Sequence, residues 1–266
     1  MLQQPFIQRA FLVGLIIAVL SSILSVFIVL KRVSLIGDGL GHTAFGGLAL
    51  GYYLGFEPLW VASIIVVLGS MGITKAIRST KIAGDAAVAL FLELGLAVGG
   101  LLVALGIGVN LESLLFGSII LVNIEQILIA GTILIATMIV VLVFYKELVL
   151  VAFDETQAKA AGLPTWFFDY LLSALAGVAV MAAIPIVGVL LISALLVLPA
   201  LTSLQVSRSF RQTLYFSQLF GLLTVALGLL LCIIFNTAPG ATIVLVGIGI
   251  FLLTLIGKRT AQWLVD

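Results

Sequence analysis

Asp38 and His42 stand four residues apart in SLIGDGLGHTAF, the stretch from Ser34 to Phe45, and His42 is the single histidine of the chain. At i and i+4 on a helix the two side chains share a face, about one turn apart. A neutral imidazole and a carboxylate together suit zinc, manganese or iron, and no thiolate accompanies them to favour copper(I). Two ligands do not fill a coordination shell. A two-fold dimer would bring two aspartates and two histidines together, enough for a tetrahedral site. The same pair can also relay protons, or form a hydrogen-bonded packing contact. The residue types alone leave these three readings open.

The setting of the pair is apolar. The 266 residues are 63% hydrophobic and 9% charged, whereas a soluble domain has about 25% charged residues. Such a chain cannot cover a water-facing surface, and the composition points to an all-α, polytopic membrane bundle. An ionisable residue inside a span costs about 2.5–3.5 kcal/mol on insertion scales, so Asp38 and His42 become a functional-site expectation. The lone Cys232 excludes an internal disulfide and any cysteine-cluster metal site.

Apolar runs long enough to cross a bilayer lie at 10–30, 35–55, 58–77, 84–106, 126–145, 167–184, 186–206, 213–235 and 240–257. The first is too long for a signal-peptide core and ends in Lys31-Arg32, which makes it a retained span. The block from Trp166 to Val206 would rise about 60 Å as one helix, and Pro185-Ile-Val-Gly188 is its natural break. Splitting it there gives nine crossings, with the second piece allowed to be short or broken. Eleven of the twelve basic residues then fall on one side, all but Arg9. That side is expected to be cytoplasmic, with the N-terminus outside and the C-terminus inside. An eight-crossing arrangement puts either Arg208/Arg211 or the 146–165 loop on the wrong side.

If the second span starts near Ser34, Asp38 sits about 6 Å in and His42 about 12 Å in, close to mid-membrane. Gly37, Gly41, Gly47, Gly51 and Gly55 give small-xxx-small spacing twice, so this span is expected to lie centrally among its neighbours. Glu93 is two to three turns into its own span, while Asp85 stands at the start of that span and can simply cap it. Glu57, Glu112 and Glu125 fall on the outer side, where a loop at 107–125 has an apolar core that suits a re-entrant or interfacial helix. The inner loop from Val151 to Trp166 is the most polar segment. Its DETQAKAAG reads as a short helix capped by Asp154, braced by Glu155 and Lys159, and stopped by Gly162 and Pro164. It serves either as a solvated connector or as a docking helix for a cytoplasmic partner. No phosphate-binding G-x-x-x-x-G-K-[ST] loop occurs, and no serine or cysteine nucleophile stands beside the histidine, so an enzyme is not expected.

The stretches LKRVSLIGDGLGHTAFGGLALGYYLG, GDAAVALFLELGLAVGGLL, LLFGSIILV, FDETQAKAAG, VGVLLISALLVLPALTS and NTAPGATIVL follow one another along almost the whole chain. In this order they resemble the membrane permease subunit of bacterial metal-uptake ABC transporters, the zinc/manganese (ZnuB-like, ABC-3) family. The resemblance implies a single transmembrane permease domain over 1–266, of the type II ABC importer kind. It implies a homodimer in the bacterial cytoplasmic membrane, one ATPase subunit bound per copy, ATP held by that partner, and an extracellular solute-binding protein that delivers the metal. The transported ion would be divalent zinc, or manganese or iron. The family's Asp-x-x-x-His pair matches Asp38 and His42, and Glu93 and Glu112 are possible pathway acids. The family's coupling helix matches Phe153, Asp154, Glu155, Ala158 and Gly162. Two departures stand out: Gly41 replaces a serine that often precedes the histidine, and Glu93 replaces a small or hydroxyl residue. The alternative to an ATP-driven importer is a proton-coupled secondary transporter with His42 and Asp38 as relay.

Overall fold

The computed structural model describes residues 5–80, 82–107 and 123–263. These form eleven helices. Four lead the chain: α1 (Pro5–Leu30), α2 (Ile36–Leu54), α3 (Pro58–Thr80) and α4 (Gly84–Ala104). Then come α5 (Ile124–Val143), the short α6 (Tyr145–Phe153) and α7 (Glu155–Ala160), and the long α8 (Thr165–Leu195). The last three are α9 (Leu198–Val206), α10 (Phe210–Phe235) and α11 (Pro239–Trp263). Seven helices are long and apolar enough to cross a membrane, counted among the described residues. The helix α2 is not one of them: its nineteen residues include Asp38, His42 and six glycines. Glu112 and most of the 107–125 loop lie outside the described residues.

Helix α1 is the axis of the bundle. Val13, Ile17, Leu20, Leu24 and Phe27 are fully enclosed. Its serines face α10, where Ser217 Oγ donates to the Ser22 carbonyl at 2.9 Å and lies 3.1 Å from Ser25 Oγ. Small and hydroxyl residues let helices approach in a setting where apolar burial alone gives no preference for protein over lipid. By contrast, α3, α4 and α5 turn Ile64, Leu68, Leu90, Leu101 and Leu128 outward, as a lipid-facing surface requires.

The basic residues gather at one end. Lys31, Arg78 and Lys159 meet Asp169 and Glu155 there. Phe210, at the start of α10, stacks on Phe27, Tyr145 and Phe153 at the same end. Helix α1 finishes at this end, so α1 begins at the opposite one. Late in α11, Lys258 donates to Gln205 at 3.4 Å, just before the turn that leads into Phe210. The first and last helices therefore start and finish at opposite ends of the bundle.

The expected break in the long block is at Gly188, whose φ of 76° and ψ of 167° depart from the helix around it. Before it, Ser173 donates to the Ser70 carbonyl and Gly177 rests on Ser70, so α8 runs antiparallel to α3. After it, Val189 abuts Gly41 and Ser193 abuts Gly37, so the chain runs antiparallel to α2. Because α2 and α3 are themselves antiparallel, the two arms of α8 run in opposite senses along the bundle. The second arm breaks again at Val197 and continues as α9 towards the basic end. The piece expected at 186–206 is therefore a short, broken return. The backbone at Gly188 lies in a region open essentially to glycine alone, and Gly188→Ala is expected to cost about 1–3 kcal/mol. A lowered apparent melting temperature of the detergent-solubilised chain would register it.

Candidate functional site

Three neighbours press on α2, each through glycine. Against α3, a β-carbon at Gly47 or Gly51 would lie 2.8 Å from Ala62 Cα or 2.7 Å from Pro58 Cα. Against α4, one at Gly46 would lie 2.8 Å from the Gly95 carbonyl oxygen, and one at Gly95 would run into the carbonyl of His42. Against the second arm of α8, Gly37 meets the Ser193 backbone and Gly41 meets Val189. Most of these are approaches to main chain that no side chain could enter. At 3.6 residues per turn, Asp38 and His42 fall on the arc of α2 between the α4 contact and the α8 contact.

The pair is half-buried, and neither side chain makes a hydrogen bond or ion pair among the described residues. Thr43, the next residue, is by contrast committed, donating to the Gly39 carbonyl at 2.7 Å. The helix starts at Ile36 rather than Ser34, so His42 is about 9 Å from its start rather than 12 Å, on the basic-end side of the helix's midpoint. Asp38 occupies the first turn, where the helix dipole favours a carboxylate. No group of three histidine, cysteine, aspartate or glutamate side chains comes together among the described residues. Within those residues, one chain offers the pair alone.

The other acids are placed apart. Val88, Gly95 and Gly99 face α2, whereas Glu93 is two residues before Gly95 and thus on nearly the opposite side of α4, exposed. Asp85 is exposed in the first turn of α4. Glu57 and Glu125 are exposed at the end away from the basic cluster. The sequence reading does not single out Gly95, though Gly95-x-x-x-Gly99 carries the same small-residue signal as α2.

Gly41 has a structural account. Where a serine would stand, Val189 fills the space, and a β-carbon at Gly41 would collide with its γ-methyl. Gly41→Ser is expected to destabilise by about 1–3 kcal/mol, and Val189→Ala in the same chain to recover much of that loss. A double-mutant cycle on thermal stability reads the coupling.

The inner loop forms the short helix expected of it. Asp154 caps α7, accepting from the Thr156 and Gln157 amides at 2.9 Å each. Lys159 pairs with Glu155 at 2.8 Å, and Gly162 stops the turn with φ 79°. The bond from Lys159 holds the Glu155 carboxyl below its ordinary range, against an opposing effect of burial. Ala158 is fully buried against Leu148, Val151, Phe168 and Leu172. It seats α7 on the bundle, leaving Phe153, Gln157 and Ala161 exposed.

The sequence pattern of the ABC 3 transport family matches residues 3–258. The chain belongs to that family. The manganese import system permease protein ScaB of Streptococcus gordonii is 32% identical over 250 residues, covering 94% of this chain and 90% of that one. The chelated iron transport system membrane protein YfeD of Yersinia pestis is 29% identical over 254 residues, covering 95% and 85%. The solved structure of PsaBC from Streptococcus pneumoniae in complex with Fab matches with a TM-score of 0.82 at 30% identity, over 95% of this chain and 91% of that one. The chain is thus a multi-pass membrane permease subunit of the ABC 3 family, and ATP hydrolysis belongs to a separate subunit.

Proposed function

We propose that this chain is the permease of an ATP-driven importer of divalent transition-metal ions, with Asp38 and His42 lining the ion's path. The observation that carries the reading is the uncommitted pair itself: a carboxylate and an imidazole one turn apart, on the one arc of α2 left between α4 and the returning arm of α8. Relatives named for manganese and for chelated iron support a metal cargo. The nitrogen and oxygen donors suit manganese, iron or zinc. Two copies related by a two-fold axis would supply four donors, held loosely enough for the ion to leave. Glu93, turned away from α2 of its own chain, would then reach the path only at the surface between copies, and Glu112 would stand at the outer approach.

The basic end is assigned to the cytoplasm by the positive-inside rule. There α7, through its exposed Gln157 and the preceding Phe153, would dock the ATPase. The opposite end would receive a metal-loaded solute-binding protein. Residues 1–266 would act as one permease domain that alternates between outward- and inward-facing states.

The test is uptake by the permease reconstituted with its ATPase and binding protein in liposomes. Manganese, ferrous iron and zinc are supplied singly and in competition. Uptake that requires ATP and one of these ions supports the reading. Uptake driven by a proton gradient without ATP would replace it with the proton-relay alternative.

A further inference from the structure

At the basic end a cavity of about 510 Å³ opens between α1, α3, α8 and α7. Its floor is apolar, with Ile28, Ile73, Ile77 and Leu172, while its rim is charged. On that rim Asp169, one turn into α8, receives two cations at once. Lys31 from the end of α1 donates to its Oδ1 at 2.7 Å, and Arg78 from the last turn of α3 donates to its Oδ2. The same guanidinium nitrogen of Arg78 reaches Glu155 Oε1 of α7 at 3.4 Å. Glu155 is in turn held by Lys159 at 2.8 Å and by the Thr165 hydroxyl at 3.3 Å.

The contacts form a line, Glu155–Arg78–Asp169–Lys31, that begins on α7 and joins it to three long helices. Their strengths differ. Asp169 is the better shielded carboxylate, with 13% of its side chain exposed against 40% for Glu155, and it holds two close cations. The long bond from Arg78 to Glu155 is the weak link. Among the described residues, the apolar seat of α7, through Ala158, reaches α8 at Phe168 and Leu172 but not α3. The polar connection from α7 to α3 runs through Arg78. Both α3 and α8 press directly on glycines of α2, the helix that carries Asp38 and His42. The adjoining cavity leaves the rim side chains room to change partners, which a packed interior does not.

We propose that Asp169 is a positioning residue: it fixes Arg78 and Lys31 so that displacement of α7 by the docked ATPase is passed to α3 and α1 as well as to α8. This rests on the importer reading above. Neutralising Asp169 would leave two cations without their shared carboxylate and free Arg78 to follow Glu155 alone. The unanchored Arg78 side chain would then swing with Glu155 instead of carrying α3 and the Asp169 end of α8 along with α7, and ATP would be hydrolysed with fewer ions moved.

The experiment measures ions transported per ATP hydrolysed by the full reconstituted transporter, for the wild type, Asp169→Asn, Asp169→Glu and Glu155→Gln. The expected result is a fall in that ratio for Asp169→Asn, on the order of fivefold or more, with the ATPase rate retained. Asp169→Glu is expected to recover most of the ratio, and Glu155→Gln to lower it in the same direction, from the exposed end of the line. If Asp169→Asn lowers uptake and hydrolysis in parallel, or changes neither, while the wild type couples normally, the positioning role is overturned and the importer reading stands. If the wild type moves no metal at the expense of ATP, the importer reading falls and this inference with it.

Discussion

His42→Ala is expected to lower metal uptake by the reconstituted transporter by about 100-fold or more, with the chain still inserted and bound to its ATPase. The size follows from the ligand count. Among the described residues one chain brings only Asp38 and His42 to the site, so each side chain is half of its copy's contribution, and even indirect support of a metal ligand is worth about 10–100-fold in affinity. The expectation that folding survives follows from the surroundings. The imidazole makes no hydrogen bond or ion pair among the described residues, and the tight contact at this position is made by the His42 backbone, which alanine retains. Asp38→Asn separates charge from shape, since the amide keeps the volume and loses the anion. The measurement is ATP-dependent uptake of radioactive manganese, iron or zinc at matched expression, with size-exclusion chromatography of the complex alongside. Wild-type uptake by both variants would remove the pair from the path.

Gly95→Val is expected to have the largest effect on stability and to silence transport indirectly. A β-carbon at Gly95 would run into the carbonyl of His42 and the amide nitrogen of Thr43, and main chain cannot swing aside as a long side chain can. Even alanine requires the two helices to separate, a change of the kind that costs about 1–3 kcal/mol in a packed interior, and valine adds branching at the same point. Gly100 is the internal control: a β-carbon there meets nothing within 4 Å, so Gly100→Ala is expected to be neutral. Thermal denaturation in detergent, read for Gly95→Ala, Gly95→Val and Gly100→Ala, orders the three. Comparable losses at Gly95 and Gly100 would show that the α2–α4 approach is not what the glycine secures.

The elements are legible in the sequence wherever the signal is local. Apolar runs mark the spans to within a few residues, because lipid imposes length directly. The cap, brace and stop of α7 are legible because Asp154, Glu155, Lys159 and Gly162 act on neighbours within one or two turns. The break at Gly188 is visible, and counting two crossings across it already implies the reversal; what the sequence leaves out is which helices the two arms meet, Ser70 of α3 before the break and Gly37 and Gly41 of α2 after it. Sequence starts α2 two residues early, because Ser34 and Leu35 stay outside the helix. Ala158 reads as one of the docking residues, yet its burial depends on Phe168 and Leu172 from the following helix. Asp169 carries no local signal, for a similar reason. Its partners lie 138 and 91 residues away, and no periodicity in a linear sequence joins them.

The reversal at Gly188 also bears on how the chain can be assembled. Thr165 and Ser207 both lie at the basic end, so the intervening block is a hairpin whose flanks stay together during membrane integration. Its bend interrupts the helical pattern, and irregular backbone is not tolerated against lipid, only where protein covers it. That cover exists in the finished bundle, where Ile186, Val187 and Val189 are buried and Gly41 receives Val189. The hairpin can therefore settle only against α2, an earlier helix of the chain, so its returning arm must find that partner before the bend is covered.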